Sequence, residues 1–252
     1  MSAGPATGRD GVYVVTPETS AGIEPELLRR AVRGRDLAAY HIEDPGLQVL
    51  VPYTFDRHGT PSIADLAAFP GARRYLTRHR ADLEARHCVR VWGKAWYDLH
   101  DQVLLNLAGQ TKILVPDVAS SNRFAVDPGR YFPLHSVYYL IPKNDIDPYY
   151  LTAIMNSRMA EFLIRLLSPV VKDGFSRYRQ QFLATVPVPD GRPEEVKEII
   201  AAARAGDADR ADQLVTALFH PSDADLARID RYIAARAIAS GPAALRCDRG
   251  VS

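Results

Sequence analysis

Short β-branched runs bounded by Gly or Pro occur at Gly11–Thr16 (GVYVVT) and Leu47–Pro52 (LQVLVP), and they predict strands. Between them Pro25–Val32 reads as a short helix, with Pro near its first turn and Gly34 just beyond its end. Asp56–Thr60 (DRHGT) is a turn cluster. From Gly71 to His87 no further Gly or Pro interrupts the chain, and Leu76, His79, Leu83 and His87 recur at helical spacing. Arg73, Arg74, Arg78, Arg80 and Arg86 fall on the other faces, so this helix should pack one thin stripe and offer arginines to solvent or phosphate. Three more strands are expected at Lys112–Pro116, Arg123–Val126 and Ser136–Pro142, separated by Ser-Ser-Asn and Asp-Pro-Gly turns. Asp147 and Pro148 then supply an N-cap and a first helical position. The helix they open is apolar on more than one face, should be largely buried, and stops at Ser168-Pro169. Beyond Pro189 the composition shifts to Ala, Asp, Glu and Arg, with helices expected near residues 193–205 and 223–237.

At 252 residues the chain can bury a substantial core. It holds no apolar run near the roughly 20 residues that span a bilayer, so no membrane partner is expected. The opening MSAGPATGRDG has neither a basic start nor an apolar centre, and it reads as a flexible leader rather than a secretory signal. The two cysteines, Cys88 and Cys247, are far apart, which argues against a disulfide framework and for a reducing cytoplasm. A net charge of +1 would speak against nucleic acid if it were evenly spread. It is not: residues 71–189 carry 16 Lys+Arg against 10 Asp+Glu, while both flanks are net acidic. A basic middle can supply phosphate contacts and steering, and it can equally be an ordinary solvated helical surface.

That middle also carries an ordered set of short motifs. Lys112–Asp117 (KILVPD) is followed by Phe124–Asp127 (FAVD), Val137–Tyr139 (VYY), Asn156-Ser157, Gly174–Tyr178 (GFSRY) and Leu183–Pro189 (LATVPVP). None is specific alone, but their order resembles the C-terminal specificity domain of TaqI-like adenine-N6 DNA methyltransferases. A weaker likeness extends upstream to Leu28–Asp36 (LRRAVRGRD), so that it covers residues 27–190. The resemblance implies an α+β target-recognition fold: a twisted mixed or antiparallel β centre, a buried helix and a helical C-terminal extension. Residues 1–26 would then be a leader and first strand, 27–190 the DNA target-recognition domain and 191–252 the extension. It further implies sequence-specific binding of double-stranded DNA for a restriction-modification or phage-defence system. The target adenine and S-adenosylmethionine would be handled by a catalytic domain or subunit, and no cofactor is expected on this chain. The rival expectation is a protein-interaction subunit of such a system that no longer reads bases.

Catalytic patterns are missing. The resemblance would require a Gly-containing donor loop and an Asn- or Asp-Pro-Pro-aromatic motif for methyl transfer; Asp127-Pro128-Gly129, Asp147-Pro148-Tyr149 and Asn156-Ser157 are better explained as turn, cap and helix. Pro189-Asp190 with Glu195-Val196-Lys197 superficially matches a metal-dependent nuclease, yet a helix begins between its two halves. His79, His87 and Cys88 lack zinc-ligand spacing, and Ser120, Ser121 and Ser168 lack a nucleophile elbow.

The residues that could meet DNA fall into four groups. Lys172–Arg179 (KDGFSRYR) interleaves Lys172, Arg177 and Arg179 with Phe175 and Tyr178; arginine can pair with guanine, lysine and tyrosine can hold phosphates, and the aromatics can instead plug the core. Asn122 and Arg123 lie between two strands, where Asn could read adenine or simply serve the turn. Lys112 is a candidate phosphate contact or ion-pair partner. Arg33 and Arg35 flank Gly34 in the family-like opening motif, where the resemblance implies polar contact to DNA or to the catalytic domain. Trp92, Trp96 and Tyr97 read as core and hinge packing more readily than as a stacking platform.

Overall fold

In the strand Lys112–Pro116 every residue is buried, and alternate side chains enter two different cores. Leu114 belongs to the core built by the first half of the chain, whereas Ile113 and Val115 belong to the core of the second half. The computed structural model describes residues 1–103, 107, 109–143, 146–169, 171 and 175–238. In it the strand runs antiparallel to Val137–Leu140 on one side and Ala125–Asp127 on the other. Its neighbour keeps the alternation, with Val137 and Tyr139 facing the first core and Tyr138 and Leu140 the second. This sheet is therefore a wall between two hydrophobic interiors.

The first interior is closed by a second four-stranded sheet in the order Phe132–Pro133, Leu28–Val32, Gln48–Leu50, Val14–Val15, of which the first pair is parallel and the others antiparallel. The helix Pro70–Arg78 adds Ala72 and Leu76 to it. Glu24 caps that helix from outside, its carboxylate accepting from Gly71 N–H at 2.7 Å and Ala72 N–H at 2.8 Å. Gly71 has to be glycine, since a Cβ there would lie 1.8 Å from the Gly22 carbonyl oxygen. The second interior is helical, formed by Pro148–Asn156, Arg158–Leu167, Pro193–Ala205 and Ala208–Leu218. The architecture is α+β, a mixed β centre with a helical C-terminal region.

Tertiary pairing overrides local pattern at several points. The leader is ordered: Ser2–Ala3 forms the outer strand beside Tyr138–Tyr139, and Thr7 is buried. Residues 25–32 are a single 3₁₀ turn, Pro25–Leu27, and then a strand, because Leu28–Val32 finds partners on both sides. Within GVYVVT, Asp10–Tyr13 makes one helical turn and only Val14–Val15 is extended. The helix expected over 71–87 is three pieces, Pro70–Arg78, Arg80–Glu84 and His87–Arg90. Arg86 turns inward rather than to solvent, donating to the carbonyls of Leu83, Thr7 and Trp96 and lying over the Tyr13 ring. The helix expected to run to Ser168 is broken at Ser157, whose extended backbone ends one helix and caps the next. Leu166 and Leu167 at its end are exposed. The Asp147 cap is present, accepting from Tyr149 and Tyr150 N–H, and so are helices at residues 193–205 and 223–238. The intervening helix Ala208–Leu218, entered through the left-handed Gly206, was not among the expected elements, and its Ala211, Leu214, Val215 and Leu218 at helical spacing pack on the second core.

Lys112 and Asp127 face each other across the central pair of strands, fully buried, with Nζ 2.6 Å from Oδ2. Lys112 also donates to the carbonyls of Leu107 at 2.6 Å and Gln110 at 3.3 Å. Asp127 accepts from the N–H groups of Gly129, Arg130 and Tyr131, which fixes the Asp-Pro-Gly turn. Burial pushes the Lys112 ammonium below its usual range, and the Asp127 carboxylate acts in the opposite direction.

Two measurements test these contacts. Lys112→Met should lower the unfolding free energy by about 3 kcal/mol or more, since removing one partner strands a buried charge; urea unfolding reads this directly. Burial opposes the Glu24 charge, but its two backbone hydrogen bonds prevail and hold its pKa below the ordinary Glu value. Its stabilising contribution is therefore complete above the unfolded pKa and is lost as pH falls through the lower folded one. Comparing Glu24→Gln with wild type by urea unfolding at about pH 7 and about pH 3 should show a gap that narrows in acid.

Candidate nucleic-acid interface

Three segments meet at the Pro116 end of the central strand. The first is the turn Gly34–Asp36, pinned by a bond from Gly34 N–H to Ser136 Oγ at 3.1 Å. A Cβ on Gly34 would lie 2.8 Å from the Ser136 carbonyl oxygen and 3.1 Å from Pro116 Cβ, so only glycine lets the turn sit this close. The second segment, Asp117–Ala119, leaves the strand; Asp117 N–H donates to Ser136 O at 3.0 Å. The third, Ser176–Tyr178, pairs antiparallel with Val118–Ala119, and Tyr178 N–H donates to Asp117 O at 2.9 Å. This junction carries Arg33, Arg35, Arg177 and Arg179 together, although they are far apart in sequence.

The side chains differ in how they are held. Arg35 is exposed, 3.8 Å from Asp36, whose other carboxylate oxygen accepts from Arg33 N–H at 2.7 Å. Arg33 is half-buried, Arg179 is exposed, and neither guanidinium has a hydrogen bond or ion pair among the described residues. Arg177 is about a third exposed, with Nη1 3.7 Å from Asp117 Oδ2. Its backbone is held on both sides by Ser168 Oγ, which accepts from Arg177 N–H at 2.9 Å and donates to Arg177 O at 3.0 Å.

Beneath the arginines lies a buried polar scaffold. Tyr178 is fully buried, edge-on to Phe124, and its hydroxyl donates to Asn122 Oδ1 at 3.0 Å. Asn122 in turn donates to Met155 O at 2.6 Å. Burial, with the Glu161 charge adding to it, pushes the Tyr178 phenol far above its usual range, so it remains a donor. Asn156 grips the Phe124 peptide twice, accepting from its N–H at 2.9 Å and donating to its carbonyl at 2.8 Å. Arg165, buried and paired with Glu161, donates to Ser120 O. The loop 120–124 is thereby fastened to the helices behind it.

These positions sort the sequence candidates. Lys112 is buried in an ion pair, so of its two expected roles it fills the structural one and is not a phosphate contact. Asn122 and Tyr178 have their polar groups committed inside the protein and present no free edge to a base. Arg33, Arg35, Arg177 and Arg179 reach the surface at one junction, and Arg123 is half-buried close enough to act on the Tyr178 hydroxyl. Lys172 and Gly174 lie outside the described residues. Trp96 and Tyr97 pack on the first core, whereas Trp92 is 55% exposed between His87 and His100 rather than in the core. Asp117, which the motif order alone included, emerges as part of the site; its pairing with Arg177 crosses too much sequence for spacing to signal it. Among the described residues no cluster of His, Cys, Asp and Glu could hold a metal ion, and no helix is long and apolar enough to cross a membrane.

An α+β domain with an antiparallel β wall, a split helix behind it and arginines at one junction has the build of a specificity domain. The chain belongs to the TaqI-like C-terminal specificity domain family, which matches residues 29–188. It is 30% identical over 88% of its length to the Type II methyltransferase M.XhoI of Xanthomonas vasicola, and 30% identical over 74% to M.BstVI of Geobacillus stearothermophilus. It is 27% identical over 79% to M.PaeR7I of Pseudomonas aeruginosa. The chain spans 32–40% of the length of these curated relatives. Its fold is shared with the Type IIL restriction-modification enzyme MmeI, solved in complex with DNA, at a TM-score of 0.61 and 13% identity over 95% of this chain and 35% of that one.

The scaffold makes a separable forecast. Tyr178→Phe leaves Asn122 Oδ1 buried without its donor and should cost about 1–3 kcal/mol in urea unfolding. Where the variant remains folded, its DNA affinity should match wild type; a loss of affinity without a loss of stability would return Tyr178 to the binding surface.

Proposed function

We propose that this chain reads a short double-stranded DNA sequence on behalf of an adenine-N6 DNA methyltransferase of a restriction-modification or related phage-defence system. The observation that carries this is the gathering of Arg33, Arg35, Arg177 and Arg179 at the Pro116 end of the central strand, on backbone fixed by partly buried hydrogen bonds. Guanidinium groups on such a base can neutralise phosphates and donate bidentately to guanine. The family membership and the naming of the relatives as Type II methyltransferases support the same reading. Recognition is assigned to residues 27–190, with 1–26 as its bracing first segment and 191–252 as a helical extension. Methyl transfer, extrusion of the adenine and binding of S-adenosylmethionine belong to a catalytic region elsewhere, and the working compartment is the cytoplasm, where the DNA lies.

Selection of bound duplexes from a randomised pool by the purified chain at moderate salt tests this directly. An enriched motif is expected; recovery of an unbiased pool would favour a subunit that contacts its catalytic partner and no longer reads bases. Two variants separate the roles. Arg177→Ala should cost about 1–3 kcal/mol on the selected sequence and relax one position, whereas Arg35→Ala should weaken all sequences alike and lower the salt slope by about 1.

A further inference from the structure

We propose that Asp117 and Arg177 together read one G·C base pair, Arg177 donating to guanine and Asp117 accepting from the N4 amino group of the paired cytosine. This rests on the DNA-reading function proposed above and names two of the groups that would set its specificity. Asp117 is short of partners in the free chain. Among the described residues its buried Oδ1 receives no hydrogen bond, and Oδ2 approaches Arg177 Nη1 only to 3.7 Å, beyond hydrogen-bond range. The oxygen that can reach a base is therefore Oδ2, which lies beside Arg177 with no hydrogen bond among the described residues and is open to accept one.

The two side chains are nonetheless firmly mounted. Asp117 is held through its N–H by Ser136 and through its carbonyl by Tyr178 N–H, and Arg177 is held on both sides by Ser168. Val118 and Arg177 are register partners, so the pair is carried across a short antiparallel ladder. Both reach solvent, with side chains 29% and 36% exposed respectively.

A carboxylate among arginines on a DNA-facing surface repels phosphate and gains only where it meets a donor. In the major groove the donors are the amino groups of cytosine and adenine. A guanidinium beside a carboxylate presents donors followed by an acceptor. That order complements the edge of a G·C pair, which shows two acceptors on guanine and then the cytosine amino group. An A·T pair would instead set the adenine amino group against the guanidinium.

The duplex selection, repeated with Asp117→Ala and with Asp117→Asn, decides the matter. Wild type should return a motif with a G·C pair at the position that Arg177→Ala relaxes. In Asp117→Ala that same position should lose roughly tenfold or more of its discrimination. Affinity for unrelated duplex should meanwhile rise, because a phosphate-repelling charge has gone; a purely structural loss would lower both. Asp117→Asn keeps the shape of the side chain and guards against misfolding, and it should move the preference at that position away from G·C. A wild-type motif that both variants reproduce unchanged would overturn the pairing while leaving DNA reading intact. An unbiased wild-type pool would overturn DNA reading and this inference with it.

Discussion

Much of the molecule hangs on a single buried ion pair. Lys112 and Asp127 sit opposite one another in adjacent strands of a sheet that has hydrophobic core on both sides, where an isolated charge would be prohibitive. The pair is tolerated because nearly every valence is met: the ammonium by one carboxylate and two carbonyls, the carboxylate by the ammonium and three backbone N–H groups. That network allows little slippage. A shift of one residue in strand register would exchange the two faces of the sheet and separate the charges. The pair therefore fixes the register of Lys112–Pro116 against Ala125–Asp127, and with it the position of Pro116 and Asp117, where the arginine-bearing segments meet.

The junction itself divides labour between layers. Fully committed polar groups, Asn122, Tyr178, Asn156 and Arg165, lie behind it and do no visible work toward solvent. In front are side chains with spare donors. Such layering suits recognition, since a reading group contributes most when the backbone that carries it loses little freedom on binding.

Strong local signals were legible in the chain. The Lys112–Pro116 run, the Asp147-Pro148 helix start and the helix at residues 193–205 appear where hydrophobic pattern and capping chemistry place them. The failures share a cause, namely that the deciding partner is distant. Leu28–Val32 is extended because Gln48–Leu50 and Phe132–Pro133 flank it, and Ser2–Ala3 is ordered because Val137–Leu140 offers an edge. Ser157 ends one helix and opens the next within a pattern read as one helix, its hydroxyl accepting from Ala160 N–H while Asn156 holds the distant Phe124 peptide. The candidate residues divided in the same way: their types suggested chemistry, but whether Lys112, Asn122 or Tyr178 faced inward depended on neighbours no spacing reveals.

The outer strand has a consequence for how the protein is made. Ser2 pairs with Tyr139 and Ala3 with Tyr138, so the outer strand of the wall waits for a partner that lies more than half of the 252 residues further along. Until then both edges of the future wall are open, and contacts of such long range close slowly. Assembly of this domain should thus wait for Val137–Leu140, and until then the segment ahead of Lys112, with a core that lacks its wall, is the part most exposed to misassociation.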